Sequence, residues 1–535
     1  MDQNLVWLDI RASYSHSSLA LPAIESTRIG DSYLWQSVRG TINSDIFQLT
    51  KELYKSKPTI LAGTVWLFNH EIMISVCERI KRLIPDLVII LGGPEFNGDN
   101  HRFLRRNSFV DYVFCGEGEI EFHKWLRGDN PATITGLCYI DGLGVYRDNG
   151  TAKVEDFSAL PAPETSNFFN FSAPFVQIEC SRGCFNNCAF CVSGGDKPIR
   201  NKPVEEIEQR INDIRDKGVK DIRILDRTFN YSPIRAKELL NMFAKFTDMN
   251  FHLEIHPALL TDELCELLSS TPKGLLHLEA GMQSLDDRVI EASGRIGTTE
   301  AAMHGLTRLC SMDNFETHAD LIAGLPYYTL EQIFADVRSL SLVGAGEIQL
   351  ELLKLLPGTK MQCYAAHLEI KYAPTPPYEV LETPDISIIE LDRARFLSRL
   401  IDRFYNAKGW QSVTRRLINE NVDFLDLFLD FLMERSALDK PISLERCGTL
   451  LYAFCKTDGY DRYSDDISLA WISNGLSLRR EEAGNITRAN ELPNGMERNP
   501  NTHYYLWQGS DGKSVIVAYN RSESQAKPLI IEIPN

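Results

Sequence analysis

The sequence predicts an α/β protein with two successive parallel-sheet domains, a mostly helical C-terminal region and a small β-element at the end. Short β-branched runs alternate with helix-length segments up to about residue 352, which is typical of parallel sheets. Apolar residues then recur at helical spacing over residues 388–405 and 422–436. We therefore divide the chain into five segments, of which the second is a linker: 1–135, 136–174, 175–372, 373–500 and 501–535.

The first domain is expected to contain a doubly wound sheet. A helix is predicted over Glu71–Leu83, between the second and third strands. The four predicted strands, of which the last two end in glycine turns, are Leu5–Ile10, Thr59–Thr64, Leu87–Pro94 and Tyr112–Glu119. Parallel sheets bind ligands where loops gather at the carboxyl ends of their strands, so these loops form the first candidate site.

The second domain is expected to be a partial barrel. The turn-rich segment 136–174, with a hairpin turn at Asp141-Gly142, leads into it. Its six predicted strands are Phe175–Glu179, Asp221–Asp226, Asn250–Ile255, Leu275–Glu279, His318–Gly324 and Glu347–Leu352. Six such strand–helix units predict a partial (β/α)6 barrel with its active residues at the carboxyl ends of the strands.

Composition and charge indicate a large globular enzyme of the cytoplasm. The 535 residues are 44% hydrophobic and 24% charged, and no long apolar run is present to span a bilayer. The N-terminus lacks the basic flank and apolar core of a signal peptide, and the 12 cysteines are mostly scattered, as in a reduced compartment. The net charge of −17 argues against nucleic acid or anionic membranes as partners.

The most informative motif is a C-x3-C-x2-C run formed by Cys184, Cys188 and Cys191. Most cubane iron–sulfur clusters have four thiolate ligands. Three cysteines in so short a segment would leave the fourth iron of a [4Fe–4S] cluster open to a small molecule. A zinc knuckle is the alternative, but zinc sites usually close with a fourth Cys or His, and the nearby spare is Cys180. A closed four-thiolate site that includes Cys180 therefore stays open as an alternative.

This segment resembles the radical S-adenosylmethionine (SAM) superfamily, including the aromatic Phe190 before the last cysteine. In that superfamily SAM binds the open iron through its amino and carboxylate groups. The resemblance implies further SAM contacts at strand ends: Glu279, Gln283 and Ser284 near the ribose and methionyl groups, Ile322 and Gly324 against adenine, and Asp226 at the amine. Glu254 and His256 end the third strand and are candidates for substrate binding or proton handling, although a core histidine is an equal possibility for His256.

The first domain resembles the N-terminal half of cobalamin-binding-type radical SAM enzymes. The likeness rests on Gly92-Gly93-Pro94-Glu95, on Asp111-Tyr112-Val113 with Gly116-Glu117-Gly118-Glu119, and on Leu160-Pro161-Ala162-Pro163. It implies a corrinoid held by loops that include Ser13, Thr64, Gly92, Gly93, Gly116 and Glu117. An Asp-x-His-x-x-Gly motif is absent, so we expect no histidine ligand on cobalt; His16 and His70 are candidates by chemistry alone. A degenerate domain with a structural or substrate-binding role is the alternative.

The resemblance implies an enzyme that cleaves SAM reductively and, with cobalamin, methylates an unactivated carbon of a small molecule or peptide. It also implies an external electron donor such as flavodoxin or ferredoxin. A radical rearrangement or other SAM-derived group transfer without cobalamin is the second reading, and an iron–sulfur redox or sensing protein is the non-enzyme reading. The helical tail resembles an uncharacterised subgroup of these proteins, and nothing in it identifies the substrate.

Overall fold

The computed structural model describes residues 3–13, 18–30, 32–457, 459–493, 496–520 and 527–533. The chain divides into two compact units. The first combines Met1–Thr317, Gly324–Tyr328 and Leu352–Ile388, and the second combines His318–Ala323, Thr329–Glu351 and Ile389–Asn535. None of the helices in these described residues has the length and apolar content needed to cross a membrane.

The N-terminal part of the first unit is a sheet flanked by helices. Its strands are β1 (Asn4–Arg11), β2 (Leu34–Thr41), β3 (Ile60–Thr64), β4 (Val88–Gly92), β5 (Tyr112–Phe114), β6 (Leu137–Ile140) and β7 (Tyr146–Asp148). Its helices are α1 (Ala20–Ser26), α2 (Ile46–Ser56), α3 (His70–Leu83), α4 (His101–Arg106) and α5 (Glu121–Leu126).

The strand order of this sheet is β2-β1-β3-β4-β5-β6-β7, in which β1 to β5 are parallel and β6 and β7 are antiparallel. Strand β1 is buried on both faces because Leu5 and Trp7 pack on one side and Val6 and Leu8 on the other. The order reverses between β1 and β3, and doubly wound sheets bind ligands at this switch point. The predicted linker, 136–174, begins with β6 and β7, because the Asp141-Gly142 turn closes a hairpin that extends the sheet.

The central stretch alternates strands and helices. Its strands are β8 (Val176–Ile178), β9 (Ser181–Arg182), β10 (Arg200–Asn201), β11 (Asp221–Ile224), β12 (Asn250–Ile255), β13 (Leu276–Gln283), β14 (Glu316–Ala323) and β15 (Glu347–Leu352). Its helices are α6 (Val204–Asp216), α7 (Pro233–Phe243), α8 (Asp262–Ser269), α9 (Asp287–Ala292), α10 (Thr299–Cys310) and α11 (Leu330–Val343).

Strands β8, β11, β12 and β13 pair in parallel in that order. Along β12 and β13 every second residue is a buried apolar side chain, and between them lie the half-buried polar side chains of His252, Glu254, His277 and Glu279. This alternation gives the sheet one apolar face and one polar face. The polar face carries His252 and Glu254 on β12 opposite His277 and Glu279 on β13. The α/β class predicted from the sequence is therefore confirmed.

The C-terminal stretch is mostly helical and ends in a small antiparallel sheet. Its helices are α12 (Lys360–Cys363), α13 (Ile388–Leu400), α14 (Gln411–Glu420), α15 (Phe424–Glu434), α16 (Leu444–Cys455) and α17 (Ser464–Ser473). Its strands are β16 (Lys371–Tyr372), β17 (Val380–Glu382), β18 (Ile486–Arg488), β19 (Thr502–Gln508), β20 (Ser514–Asn520) and β21 (Leu529–Glu532). Within the second unit, a π-helical turn over Ile401–Tyr405 extends α13, and Tyr405 donates a hydrogen bond of 2.6 Å to the Ala345 carbonyl.

Candidate active site

Residues 183–199 form a loop whose base is closed by a two-residue antiparallel ribbon. Arg182 of β9 pairs with Arg200 of β10, and Ser181 pairs with Asn201. We call this segment the cluster loop, because it contains the three predicted thiolate ligands Cys184, Cys188 and Cys191. The ribbon brings the two ends of the loop together, so the three cysteines share one closed segment.

The cluster loop is hydrogen-bonded to the segment that follows α9. The Ala189 amide donates to the Ser293 carbonyl at 2.7 Å, and the Ile296 amide donates to Asn186 Oδ1 at 2.9 Å. Inside the loop, the Gly195 amide donates to the Asn186 carbonyl at 2.8 Å. These bonds satisfy backbone polar groups that burial would otherwise leave unpaired, and they fix the shape of the loop.

Two of the thiols have nitrogen donors nearby. The Arg295 guanidinium donates to Cys188 Sγ at 3.8 Å, and the Ser193 amide donates to Cys191 Sγ at 3.4 Å. Burial raises the pKa of the Cys188 thiol, and the Arg295 charge opposes that rise. Positive charge and N–H donors favour the thiolate form, which is the form that binds iron.

Within the described residues, no group of three His, Cys, Asp or Glu side chains is arranged to hold a metal ion. The three thiols of a cubane bind three different irons, whereas the ligands of a mononuclear ion converge on one point. The thiol of Cys184 lies 3.9 Å from Thr228 Oγ1 at the end of β11. The assignment of the three thiols as cluster ligands stays a prediction.

Cys180 lies outside the cluster loop, before β9. It is fully buried, and burial raises the pKa of its thiol well above the usual value. Its carbonyl accepts hydrogen bonds from the Lys202 amide at 2.9 Å and from Arg235 at 3.1 Å. These contacts make Cys180 part of the core that supports the ribbon.

Asp226, the predicted contact of the SAM amine, is buried behind the cluster loop. Its Oδ1 accepts hydrogen bonds of 2.8 Å from the amides of Cys180 and Ser181. Burial raises the pKa of the Asp226 carboxyl to about 6, although hydrogen bonds from Ser181 and Cys180 oppose the rise. The carboxylate therefore joins the end of β11 to the start of the ribbon, and its contact with SAM stays a prediction.

Of the predicted SAM contacts on β13, Gln283 ends the strand and Ser284 follows it, whereas Glu279 lies in its middle, because the strand continues four residues past the predicted end. Glu279 accepts a hydrogen bond of 2.8 Å from His252 Nε2. Gln283 has a left-handed backbone, with φ of 70°, and its Oε1 is buried without a hydrogen-bond partner among the described residues. Ser284 is buried, and its hydroxyl accepts from the Asp286 amide at 3.2 Å. An unsatisfied carbonyl oxygen such as Gln283 Oε1 is the kind of group that a ligand N–H or O–H would complete.

The other predicted SAM contacts lie on separate segments. Phe190 is half-buried in the cluster loop. Ile322 is half-buried on β14, and Gly324 follows that strand with φ of 93°. Ile322 and Gly324 thus lie at the carboxyl end of β14, and the contacts of all three residues with SAM stay predictions.

The two substrate candidates have different surroundings. Glu254 is half-buried on the polar face of β12, and it makes no hydrogen bond or ion pair within the described residues. Burial raises the pKa of Glu254 to about 7, a value suited to proton transfer near neutrality. His256 is buried, its Nε2 lies 3.0 Å from the Ile296 carbonyl, and burial lowers its pKa to about 4. The neutral imidazole of His256 packs near Phe185 of the cluster loop, which supports a structural role for His256 in the core.

Arg295 is a functional candidate that sequence reasoning missed. Besides its contact with Cys188, it donates a hydrogen bond of 2.6 Å to the Gly281 carbonyl on β13. It therefore joins the cluster loop to the strand that carries Gln283. No motif marks this arginine, since it lies more than a hundred residues beyond the cysteines.

The second candidate site lies at the switch point of the N-terminal sheet. Asn69 is buried there, and its Nδ2 donates to the carbonyls of Ile10 at 2.8 Å and Thr64 at 3.1 Å. The carboxyl ends of β1 and β3 are thereby joined. Beside them, the exposed rings of Trp66 and Phe68 stack with centroids 6.2 Å apart and planes 8° apart. The sequence analysis missed both this amide and this aromatic pair.

The two predicted glycine turns are required by nearby backbone. Gly93 has φ of 109°, and a Cβ there would lie 2.6 Å from the Val65 carbonyl oxygen. Gly116 has φ of 92°, and its Cβ would lie 2.2 Å from the Ala152 carbonyl oxygen. Only glycine fits such positions. Close backbone approach accounts for both residues without a ligand, so their role as corrinoid contacts stays a prediction.

The remaining predicted corrinoid contacts are spread around the same edge. Ser13 follows β1, and Thr64 and Gly92 are register partners at the ends of β3 and β4. Glu117 is engaged by the protein itself, because its carboxylate pairs with Arg200 at 2.8 Å. These contacts also stay predictions.

Of the two histidines that are candidate cobalt ligands, the structure describes His70. His70 is half-buried at the start of α3, and its Nδ1 lies 2.8 Å from Glu95 Oε2. Glu95 also accepts a hydrogen bond of 2.8 Å from the Tyr378 hydroxyl. His16 lies outside the described residues.

Comparisons with known proteins match two family models to parts of the chain. Residues 178–340 match the family model described as the Radical SAM superfamily, and residues 366–473 match that of a protein of unknown function (DUF4080). The tRNA-2-methylthio-N(6)-dimethylallyladenosine synthase of Aeromonas salmonicida (strain A449) is 24% identical over 400 residues, which are 71% of this chain and 76% of the relative. An uncharacterized methyltransferase of Pyrococcus horikoshii is 22% identical over 337 residues, or 60% of this chain and 72% of the relative.

Two solved structures share the fold. The radical SAM methyltransferase TsrM from Kitasatospora setae, with cobalamin and a [4Fe–4S] cluster bound, aligns with a TM-score of 0.55 at 17% identity over 70% of this chain and 78% of that one. The cobalamin-dependent SAM radical enzyme OxsB, with aqua-cobalamin and SAM bound, aligns with a TM-score of 0.59 at 14% identity over 85% of this chain and 79% of that one. At these identities the likeness shows the fold alone.

The stretch that carries the cysteines, residues 178–340, is a radical SAM domain, of the class that works with a [4Fe–4S] cluster and SAM. The chain shares its fold with TsrM and OxsB. The family of unknown function that covers residues 366–473 distinguishes its C-terminal region.

Proposed function

We propose that the chain cleaves SAM reductively at a [4Fe–4S] cluster held by Cys184, Cys188 and Cys191, and that it is a cobalamin-dependent methyltransferase. Its substrate is an unactivated carbon of a small molecule or peptide. The observation that carries the proposal is the closed cluster loop with its three thiols, in one chain with a sheet whose switch point presents exposed aromatic rings. A cofactor site and a second ligand site are thus both built into the first unit.

The donor set of the cluster loop fits an iron–sulfur cluster. Cys184 and Cys188 are buried, Cys191 is half-buried, and Arg295 supplies positive charge beside them. Thiolates are the usual ligands of such clusters, and N–H donors to sulfur tune the reduction potential. When bound, a reduced cluster supplies the electron that cleaves SAM into methionine and a 5′-deoxyadenosyl radical.

The switch point of the first sheet fits a large planar ligand. Trp66 and Phe68 are each about two-fifths exposed (40% and 42%), so their rings offer apolar surface to a ligand. Asn69 holds the strand ends beside them in place. The missing Asp-x-His-x-x-Gly motif supports a corrinoid held without an imidazole on cobalt. When bound, cobalamin supplies a methyl carrier.

The polar face of β12 and β13 carries side chains suited to binding SAM and the substrate. Gln283 offers an unsatisfied carbonyl oxygen to SAM, and Glu279, held by His252, offers a carboxylate. Glu254 is placed to take up or release a proton, because its carboxyl is half-buried and unpaired on the same face. These side chains orient SAM and substrate above the polar face of the sheet.

The proposal includes the partners and location expected from the sequence. Reduction of the cluster requires an external donor such as flavodoxin or ferredoxin, and the cytoplasm contains both. The net charge of −17 supports a small molecule or peptide over nucleic acid as substrate.

A radical reaction that uses SAM without cobalamin is the second candidate. It is favoured by two observations, that Glu117 is occupied by Arg200 and that Gly93 and Gly116 are explained by backbone contacts alone. The cluster, SAM and Glu254 would act as above, and the first sheet would bind substrate.

Product analysis of anaerobically reconstituted protein with SAM, hydroxocobalamin and a strong reductant separates these functions. Formation of 5′-deoxyadenosine together with S-adenosylhomocysteine supports methylation. Formation of 5′-deoxyadenosine alone supports the second candidate. Neither product, with iron and sulfide present, would favour an iron–sulfur redox or sensing protein.

A further inference from the structure

Two ion pairs join the first sheet to the base of the cluster loop. The Glu117 carboxylate, just after β5, receives two parallel hydrogen bonds of 2.8 Å from the Arg200 guanidinium. Glu119 Oε1 receives one of 2.6 Å from Arg182, which also binds Glu179 at 2.7 Å. Arg182 and Arg200 lie opposite each other on the two strands of the ribbon. The two ion pairs therefore hold both strands at the same position along the ribbon.

The Glu117 turn is also held by backbone groups of residues 152–154. Glu117 Oε2 accepts a hydrogen bond of 2.7 Å from the Val154 amide, and the Gly116 backbone packs against Ala152. From the same segment, Lys153 reaches into the cluster loop and contacts Asp196 Oδ1 at 2.6 Å. The acidic turn therefore cannot shift without breaking backbone contacts.

These pairs differ from ordinary surface salt bridges. The side chains of Arg200, Glu119 and Arg182 are only 7%, 8% and 13% exposed. Burial alone would raise the pKa of Glu117, but the hydrogen bond from Arg200 lowers it. Buried bidentate pairs impose geometry more than they add stability.

We propose that Glu117 and Glu119 are positioning residues, which fix the cluster loop at a set distance from the ligand-binding edge of the first sheet. The turn after β5 lies at that edge, and the ribbon carries the cysteines, so the two ion pairs are the mechanical link between the two sites. The inference rests on the proposed function, since it assigns the turn to alignment of two cofactors. It removes Glu117 from the corrinoid contacts.

Two variants test the link, with one control. Glu117→Gln removes the charge, and Arg200→Lys keeps the charge but loses the two-pronged geometry. Glu208→Gln serves as the control, because Glu208 pairs with Lys245 at 2.8 Å on an exposed surface of the same unit. A charge-reversed double variant, Glu117→Arg with Arg200→Glu, tests rescue.

The first readout needs no cofactor. Hydrogen exchange of apo protein is expected to be about tenfold faster in the peptides that cover 183–199 for both single variants, with the sheet strands unchanged. The control should match the wild type, and the double variant should recover part of the protection. Unchanged exchange in Arg200→Lys, or a rise spread over the whole unit, would overturn the proposal.

The second readout uses the loaded protein. Pulsed dipolar EPR between the reduced cluster and Co(II) of bound cob(II)alamin should give one narrow distance in the wild type and a broader distribution in both variants. Identical distributions would overturn the positioning role. Wild-type protein that binds neither iron nor corrinoid would instead refute the proposed function, while hydrogen exchange still tests the link.

Discussion

Glu254 of β12 lies directly opposite Glu279 of β13, so two carboxylates share the polar face of the sheet. His252 satisfies Glu279, whereas Glu254 has no such partner among the described residues. Burial, and after it the nearby charges of Glu279 and Asp226, raise the pKa of Glu254 to about 7, against an opposing effect of Arg227. Of these two neighbouring carboxylates, Glu254 is therefore the proton acceptor, whereas Glu279 is held by His252.

The first prediction is a pH effect at Glu254. Because its pKa is raised from 4.5 to about 7, the folded state binds the proton more tightly than the unfolded state. Its contribution to stability is therefore present below about pH 4.5 and is lost as the pH rises through about 7. Glu254→Gln cannot ionise and should gain about 1–3 kcal/mol over the wild type between pH 5 and pH 8. Calorimetry at both pH values measures this, with exposed Glu300→Gln as the control; parallel pH curves would contradict it.

The second prediction concerns the cluster ligands. Alanine at Cys184, Cys188 or Cys191 should abolish iron retention and SAM cleavage, because a site with three protein ligands does not survive the loss of one. Cys180→Ala should keep its cluster at a cost of about 1–2 kcal/mol for the buried void. Iron and sulfide analysis with EPR of the reduced protein measures both, and buried Cys265→Ala controls for core damage. Cluster loss in Cys180→Ala would favour the closed four-thiolate site.

The third prediction concerns SAM binding at Gln283. Gln283→Met keeps the length of the side chain and removes the unsatisfied carbonyl oxygen. SAM affinity should fall about three- to tenfold with cluster content unchanged, which corresponds to one neutral hydrogen bond. Titration of the reconstituted protein measures it, and Gln209→Met on exposed α6 is the control. Equal affinities in the two variants would exclude Gln283 from the SAM site.

The fourth prediction concerns the reduction potential. Arg295 places positive charge and an N–H donor beside Cys188, and both stabilise the more negative, reduced cluster. Arg295→Gln should therefore make the potential more negative, whereas Arg308→Gln, which loses an arginine that pairs with Asp262, should not. Potentiometric titration followed by EPR measures the shift. A potential equal to that of the wild type would remove Arg295 from the tuning of the cluster.

The fifth prediction is that cobalt has no protein imidazole. The Co(II) EPR spectrum of the cobalamin complex should lack splitting by a coordinated nitrogen, and His70→Ala should leave it unchanged, because the sequence lacks the Asp-x-His-x-x-Gly motif that places such a ligand. Trp66→Ala should weaken cobalamin binding, since it removes half of the stacked pair. Clear nitrogen splitting that disappears in His70→Ala would contradict the prediction.

Sequence patterns were sufficient for the buried central strands of both α/β stretches and for helices such as α3 and α15, because buried strands and amphipathic helices have strong periodicity. They missed β2, an edge strand whose exposed and buried residues follow no simple alternation. They also predicted a linker where β6 and β7 lie, because the sequence of two short antiparallel strands is dominated by the residues of the turns that join them.

The candidate site was predictable where its chemistry is local. The cysteines lie within eight residues, so their spacing alone indicates a cluster. The functions of Asp226, Glu117 and Arg295 depend on partners 45 to 107 residues away, such as Ser181, Arg200 and Cys188. No periodicity or spacing encodes such pairs, and only the fold brings them together.

In many small metalloproteins, folding depends on binding of the metal. The ribbon between Arg182 and Arg200 makes the fold of the cluster loop independent of metal binding. Where a metal organises its own ligands, the protein unfolds when the metal leaves. Here the ends of the cysteine segment are joined by backbone pairing and its interior by bonds to Ser293 and Ile296, none of which involves iron. Oxygen damage to the cluster should therefore leave a folded, refillable apoenzyme, so that repair in the cell consists of delivering iron and sulfide and does not require new synthesis of the chain.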